Sequence, residues 1–292
     1  MDIKASDVKR LRDMTGAGML DCKKALSESN GDIDKAIDYL REKGISKAAK
    51  KADRIAAEGL ANIYVDGNKA VVVEVNAETD FVAKNAEFVS MVDTIGKTIL
   101  NSSVNTVEEA LALETSEGTI NDLIVNETAT IGEKLSLRRF EIVEKADNEV
   151  FGSYLHMGGK IASLVVCTGS DETVAKDVAM QSAAMRPKYV NREDVKAEEV
   201  EHEKSVLTEQ ALTEGKKPEF IDKIIAGRLD KFFEDICLNE QAFVKDGDLT
   251  VKAYLDKNNM NVTRMVRFEV GEGMEKRSDD FASEVMSQIQ NA

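Results

Sequence analysis

The groups in this chain that could move protons, attack a carbonyl or hold a metal are few and scattered. Its 292 residues include 2 histidines and 3 cysteines. His156 lies on an alternating, strand-like run and reads as structural; His202 sits in a charged helical run and reads as solvated. Cys22, Cys167 and Cys237 are far apart and form no C-x-x-C pair, so no zinc set emerges. The 54 carboxylates contain no pair whose spacing marks an acid/base dyad, and no nucleophile stands with a base. Gly158-Gly159-Lys160 runs into Ile161 and lacks the upstream glycine of a phosphate-binding loop. Thr15-Gly16-Ala17-Gly18 ends a helix instead of following a strand, which excludes a dinucleotide fingerprint. Asp246-Gly247-Asp248 lacks the remaining oxygens of a calcium loop. No catalytic, cofactor-binding or metal-binding set is therefore expected, and the chain is expected to act through its surface.

The surface residues that stand out are Thr79-Asp80-Phe81-Val82-Ala83-Lys84-Asn85. They follow a strand-like run, Lys69 to Asn76, and precede a helix-like run, Glu87 to Leu100. That places a large aromatic residue on a strand-to-helix connection, where function concentrates. Phe81 either tucks back under its own helix, which composition alone favours, or is presented to something else.

The elements that must position this connection follow from periodicity. Residues 4–43 read as three short helices: Val8 to Met14 with Ser6 as cap, Asp21 to Ser29 ended by Asn30-Gly31, and Asp32 to Lys43 ended by Gly44. Residues 1–44 thus form an N-terminal three-helix domain that resembles ubiquitin-associated modules. Met19 and Leu20 stand beside its Gly-rich turn as a candidate contact knob. Residues 45–57 are rich in Lys and Ala and read as a helical linker, which also accounts for the run Lys47 to Arg54.

An internal repeat follows. Residues 58–65 and 69–77 are strands around Asp66-Gly67-Asn68, residues 85–101 a helix, and Leu135 to Val143 a third strand. Ser153 to Met157 and Lys160 to Thr168, a helix at 172–185 and a strand from Val262 to Val270 repeat that order. Both third strands contain Arg-Phe-Glu, at 139–141 and 267–269. The fold class is therefore α+β, with a core of two repeated three-stranded antiparallel sheets, each with a helix. Its first half is residues 58–145 and its second half 146–187 with 240–272. Residues 188–239 form an inserted antiparallel coiled-coil hairpin, with arms Arg192 to Thr213 and Glu219 to Asn239. Residues 273–292 form a C-terminal helical module, with an amphipathic helix from Ser278 to Gln290.

Composition narrows the partners. The formal net charge is −15, which opposes a large nucleic-acid interface. An odd cysteine count fits a reducing compartment, no apolar run reaches membrane-spanning length, and no basic-then-apolar leader opens the sequence. A cytoplasmic protein with neither a membrane nor a direct nucleic-acid partner is expected.

Four stretches in order resemble the elongation factor Ts family: Thr15 to Leu26, Thr79 to Asn85, Tyr154 to Ile161, and Arg267 to Met274. The resemblance covers nearly the whole chain. It implies a guanine nucleotide exchange factor, with no bond chemistry of its own, acting on elongation factor Tu. It further implies that Thr79, Asp80, Phe81 and Val82 dislocate the partner's magnesium ion, with Phe81 as an apolar wedge, Asp80 as a carboxylate that repositions partner groups, and Thr79 and Val82 holding the connection in shape. Met19 and Leu20 are expected as further partner contacts. The sequence leaves open a 2:2 heterotetramer and the use of the hairpin. The alternatives are a non-catalytic adaptor working through the three-helix module and an enzyme with an unrecognised carboxylate site.

Overall fold

The computed structural model describes residues 3–15 and 17–275. Gly16 and the helix read at Ser278 to Gln290 lie outside the described residues. The described chain is α+β and divides into two compact units. One takes the described residues of Met1–Asn62, Val73–Phe140 and Glu269–Ala292; the other takes Ile63–Val72 and Glu141–Phe268.

In the first unit, α1 (Ala5–Thr15), α2 (Met19–Glu28) and α3 (Ile33–Ala49) enclose Val8, Leu11, Cys22, Ala25, Leu26 and Ala36. α1 starts at Ala5, so Ser6 lies within its first turn and is not its cap. α2 starts two residues earlier than its sequence suggests, because the Gly18 carbonyl already accepts from the Cys22 N–H at 2.9 Å. Asp32 caps α3 by accepting from the Lys35 N–H. α3 does not stop at Gly44. It runs to Ala49, and the stretch read as a helical linker turns after that point. The reason is tertiary. α3 packs along α6 (Ile120–Ile131), and a Cβ on Gly44 would stand 3.4 Å from the Ala129 Cβ. Gly44 is a point of close approach, not a terminus. Arg41 on α3 pairs with Asp122 on α6 at 2.8 Å.

The first sheet has the order β1 (Glu58–Asp66), β2 (Lys69–Ala77), β5 (Ser136–Glu144). β2 is buried from Ala70 to Ala77. That matches its unbroken apolar run: alternation is expected only where one face meets water. Between β2 and β5 come α4 (Ala86–Leu100), α5 (Val107–Leu111), the short strands β3 (Glu114–Thr115) and β4 (Gly118–Thr119), and α6. Periodicity revealed α4 alone. The other four were missed in the sequence, although α5 and α6 carry capping boxes at Thr106/Glu109 and Thr119/Asp122, in which each hydroxyl accepts the third backbone N–H and each acid reaches back to the cap.

A buried ion cluster ties this unit to the chain after the last strand. Glu74 on β2 is fully buried and accepts from Arg138 at 2.8 Å, Arg139 Nε at 2.6 Å and the Gly271 N–H at 2.9 Å. Gly271 adopts φ +73, and a Cβ there would lie 2.2 Å from the Ala57 carbonyl oxygen. Only glycine fits so close a backbone approach.

The second unit repeats the plan. β6 (Glu149–His156) and β7 (Ile161–Thr168) pair antiparallel, with Glu149 opposite Thr168 and His156 opposite Ile161. β10 (Asn261–Glu269) completes the order β10-β7-β6, again with the second hairpin strand in the centre. β6 begins four residues before the expected Ser153. α7 (Glu172–Met185), capped by Asp171, packs on this sheet. Val165, Cys167, Val174, Val178, Leu238, Leu255 and Val262 belong to the core beneath it. The insertion is α8 (Ala197–Thr213) and α9 (Pro218–Ile236), packed on each other. Arg192 lies in a 3-10 turn before α8, pairs with Asp230 and Glu240, and stacks 4.4 Å from the Phe233 ring centre. The short strands β8 (Ala242–Phe243) and β9 (Asp246–Thr250) and helix α10 (Val251–Lys257) follow, none of them legible in the apolar pattern.

Candidate functional site

β2 ends at Ala77, and the chain then turns through Glu78 to Phe81 into a 3-10 turn, Val82–Lys84, before α4. Three local bonds set this shape. Lys84 N–H donates to the Phe81 carbonyl at 3.1 Å, and Asn85 N–H to that of Val82 at 2.9 Å. Asn85 then caps α4, its Oδ1 accepting from the Glu87 N–H at 2.7 Å. Val82 and Ala83 are buried, as is Phe88 one turn into α4. With these side chains turned inward, Phe81 is left outside at 80% exposure. Its backbone is ordinary, at φ −66 and ψ −45, so no strain sustains the arrangement. The tucked reading that composition favoured is wrong: the inward space under α4 is filled by Val82, Ala83 and Phe88.

Thr79 is fixed from a distance. Its N–H donates to Glu133 Oε2 at 3.0 Å and its hydroxyl to Glu133 Oε1 at 2.7 Å, while its own Oγ1 accepts from the Val82 N–H at 3.4 Å. Glu78 reciprocates: its carboxylate accepts from the Lys134 N–H at 2.6 Å and from Arg54 at 3.2 Å. Lys134 Nζ in turn donates to the carbonyls of Ala52 and Arg54. Glu78, Glu133, Lys134 and Arg54 escaped the sequence reading, because only the fold brings them to the connection. Asp80 is half-exposed and pairs with Lys84 at 3.1 Å, one helical turn on.

The N-terminal candidates are also outward. Met19 is 48% and Leu20 84% exposed on the first turn of α2, while Cys22, Ala25 and Leu26 face the core.

The groups that could do bond chemistry are placed elsewhere. Among the described residues no cluster of three His, Cys, Asp or Glu side chains could hold a metal ion. His156 is exposed and stacks on Tyr154, with ring centres 6.1 Å apart; His202 is exposed on α8. The three cysteines are free and buried, and burial pushes the Cys167 thiol up to about 12 and the Cys237 thiol up to about 11. No helix of the described residues is long and apolar enough to cross a membrane.

The candidate site is thus a hydrogen-bonded turn with an exposed aromatic tip beside a carboxylate. Comparison with protein families matches the same region to a family described as elongation factor TS, over residues 78–272, from the foot of this connection to the segment that Glu74 clamps.

Proposed function

Since this chain belongs to the elongation factor Ts family, and so is a nucleotide exchange factor of translation elongation, we propose that it works on elongation factor Tu through the connection from Thr79 to Val82. Support comes from one observation above the rest. Phe81 is 80% exposed on a turn that is bonded at both ends. Burying a phenylalanine side chain is worth about 1.5–3 kcal/mol. A chain that leaves this one in water, on a hydrogen-bonded turn, keeps that free energy for a partner, and aromatic anchors of this kind dominate many interfaces.

In this reading Phe81 enters between side chains of the GDP-bound partner close to its magnesium site, and Asp80 supplies a carboxylate that draws partner backbone or helix ends toward it. Val82, buried behind Phe81, backs the wedge, and Thr79 fixes its foot. In GTPases of this kind the bound magnesium neutralises the nucleotide phosphates; loosening the partner's hold on it weakens the diphosphate. The factor binds the nucleotide-free partner better than the GDP-bound form. By reciprocity, that preference lowers GDP affinity by the same factor, and rebinding of nucleotide expels the exchange factor for another cycle. Met19 and Leu20 supply a second contact, which sets affinity more than the rate of release.

The test is release of a fluorescent GDP analogue from Tu, chased with unlabelled GDP, at sub-stoichiometric factor. Phe81→Ala is expected to slow release at least about tenfold, the loss of roughly 1.4 kcal/mol of contact. Release as fast as with the unaltered chain would rule the wedge out. Leu20→Ala is expected to raise the half-saturating concentration and leave the plateau rate nearly intact.

A further inference from the structure

Residues 133 and 134 hold the connection in a reciprocal bracket. The Glu133 side chain takes both donors of Thr79, and the Glu78 side chain takes the backbone N–H of Lys134. Two adjacent residues on each segment are thus tied crosswise, with the carboxylate of one on the backbone of the other. The Thr79 hydroxyl is used twice. It donates to Glu133 and so turns a lone pair toward the Val82 N–H. That step converts a distant carboxylate into a fixed geometry for residues 79–82, and hence for Phe81. Glu133 itself is delivered by α6: Gly132 closes that helix in the left-handed conformation, φ 90, and the next residue is Glu133. α6 is in turn held by α3 through Gly44 and the Arg41–Asp122 pair.

From this we infer that Glu133, 54 residues away in sequence, is a positioning residue for exchange: it holds the turn in the conformation that presents Phe81 before any partner arrives. The inference rests on the wedge reading above. Its chemistry is pre-organisation. A turn that visits the presenting conformation only part of the time binds with an apparent affinity reduced by that fraction, while the bound complex, once formed, is the same. Loss of Glu133 therefore acts on the concentration of factor needed, not on the plateau rate. Removing two hydrogen bonds to a charged acceptor from a solvent-accessible turn is expected to raise the half-saturating concentration about tenfold.

The chain contains no tryptophan, so Phe81→Trp places a single fluorescent reporter at the tip of the turn. In that background Glu133→Ala is expected to lower the steady-state anisotropy of the introduced indole in the free factor. With Phe81 retained, Glu133→Ala is expected to raise half-saturation about tenfold with the plateau rate within about twofold; Glu133→Gln, which keeps one carbonyl acceptor, falls between. Thr79→Val removes only the hydroxyl and must shift half-saturation in the same direction. The double variant must shift it by less than the product of the two single effects. If Glu133→Ala fails to fold by circular dichroism, Glu133→Gln and Thr79→Val, singly and combined, decide the matter by the same rule. Unchanged anisotropy, an unchanged titration, or a loss confined to the plateau rate overturns the inference. The Phe81→Ala control separates the two readings. If Phe81→Ala abolishes exchange while Glu133→Ala titrates like the unaltered chain, the wedge stands and the positioning role falls. If Phe81→Ala exchanges normally, both fall.

Discussion

Phe81 and Glu74 show opposite uses of an uncomfortable residue. Phe81 is apolar and in water; Glu74 is ionic and in the core. The first is tolerable because Val82 and Ala83 fill the space behind it. The second is tolerable because two guanidinium groups and a backbone N–H meet its carboxylate. Breaking a buried ion cluster by removing one partner costs more than the cluster is worth, because the remaining charges stay desolvated. Glu74→Ala strands two partly buried arginines and leaves the Gly271 N–H without its acceptor. It is expected to lower stability by about 3–5 kcal/mol, read as a fall in the denaturation midpoint. A loss under about 1 kcal/mol would mean that Glu269 and Glu272, which also accept from these arginines, carry the cluster without it.

At the scale of elements, α6 leads directly into the residues that hold the site, and it is one of the helices that periodicity did not expose. Its C-cap Gly132 leads into Glu133, which holds the connection, and its Ala129 meets Gly44 of α3. The α3–α6 approach makes a prediction with a sign that helix propensity alone would reverse. Replacing a helical glycine normally gains up to about 1 kcal/mol. Gly44→Val instead forces two γ-methyls toward Ala129, and is expected to lose about 1–3 kcal/mol through overpacking. Thermal unfolding followed by helical circular dichroism measures it. A raised midpoint would show that α3 and α6 separate without cost. In the second unit the hairpin is organised differently. α8 and α9 share a thin seam, with Leu207, Ala211 and Ile225 buried, and its foot is tied by Arg192.

For the whole molecule, net charge and carboxylate environment decide how stability depends on pH. Arg41 holds the Asp122 carboxyl below its ordinary value; the Ala146 N–H does so for Glu149, and the Tyr189 hydroxyl for Glu199. Each such group is charged more readily in the folded chain. Its contribution is complete above the unfolded carboxylate value, about 4, and is lost as pH falls through the lower folded value. Glu127 runs the other way. Burial raises it first, then the charges of Glu87 and Glu117 facing it, and its Oε2 has no hydrogen-bond partner among the described residues. Its folded value is raised, so it favours the folded state only at low pH and opposes it as pH rises through that value. Glu127→Gln is therefore expected to raise the melting temperature at about pH 7, with the gain shrinking toward about pH 4 as the native carboxyl protonates in both states. An equal gain at both pH values would assign the effect to packing and not to charge.

Much was legible in the sequence because it depends on near neighbours. The repeated order of hairpin, helix and third strand follows from periodicity and turn residues. So do α4, α7 and the two arms of the insertion, and so does the place of Thr79 to Asn85 between a strand and a helix. The helices α5, α6 and α10 were hidden by weak or short apolar patterns, although threonines cap all three. What tertiary structure alone decided is which way Phe81 faces and what holds it there. Glu133 and Lys134 reach the connection because they lead into β5, which lies beside β2, the strand that the connection leaves, and no local spacing encodes a bond across 54 residues. Gly44 makes the same point from the other side. A glycine near a helix end reads as a stop, and only the neighbouring helix shows that it marks a place to be touched.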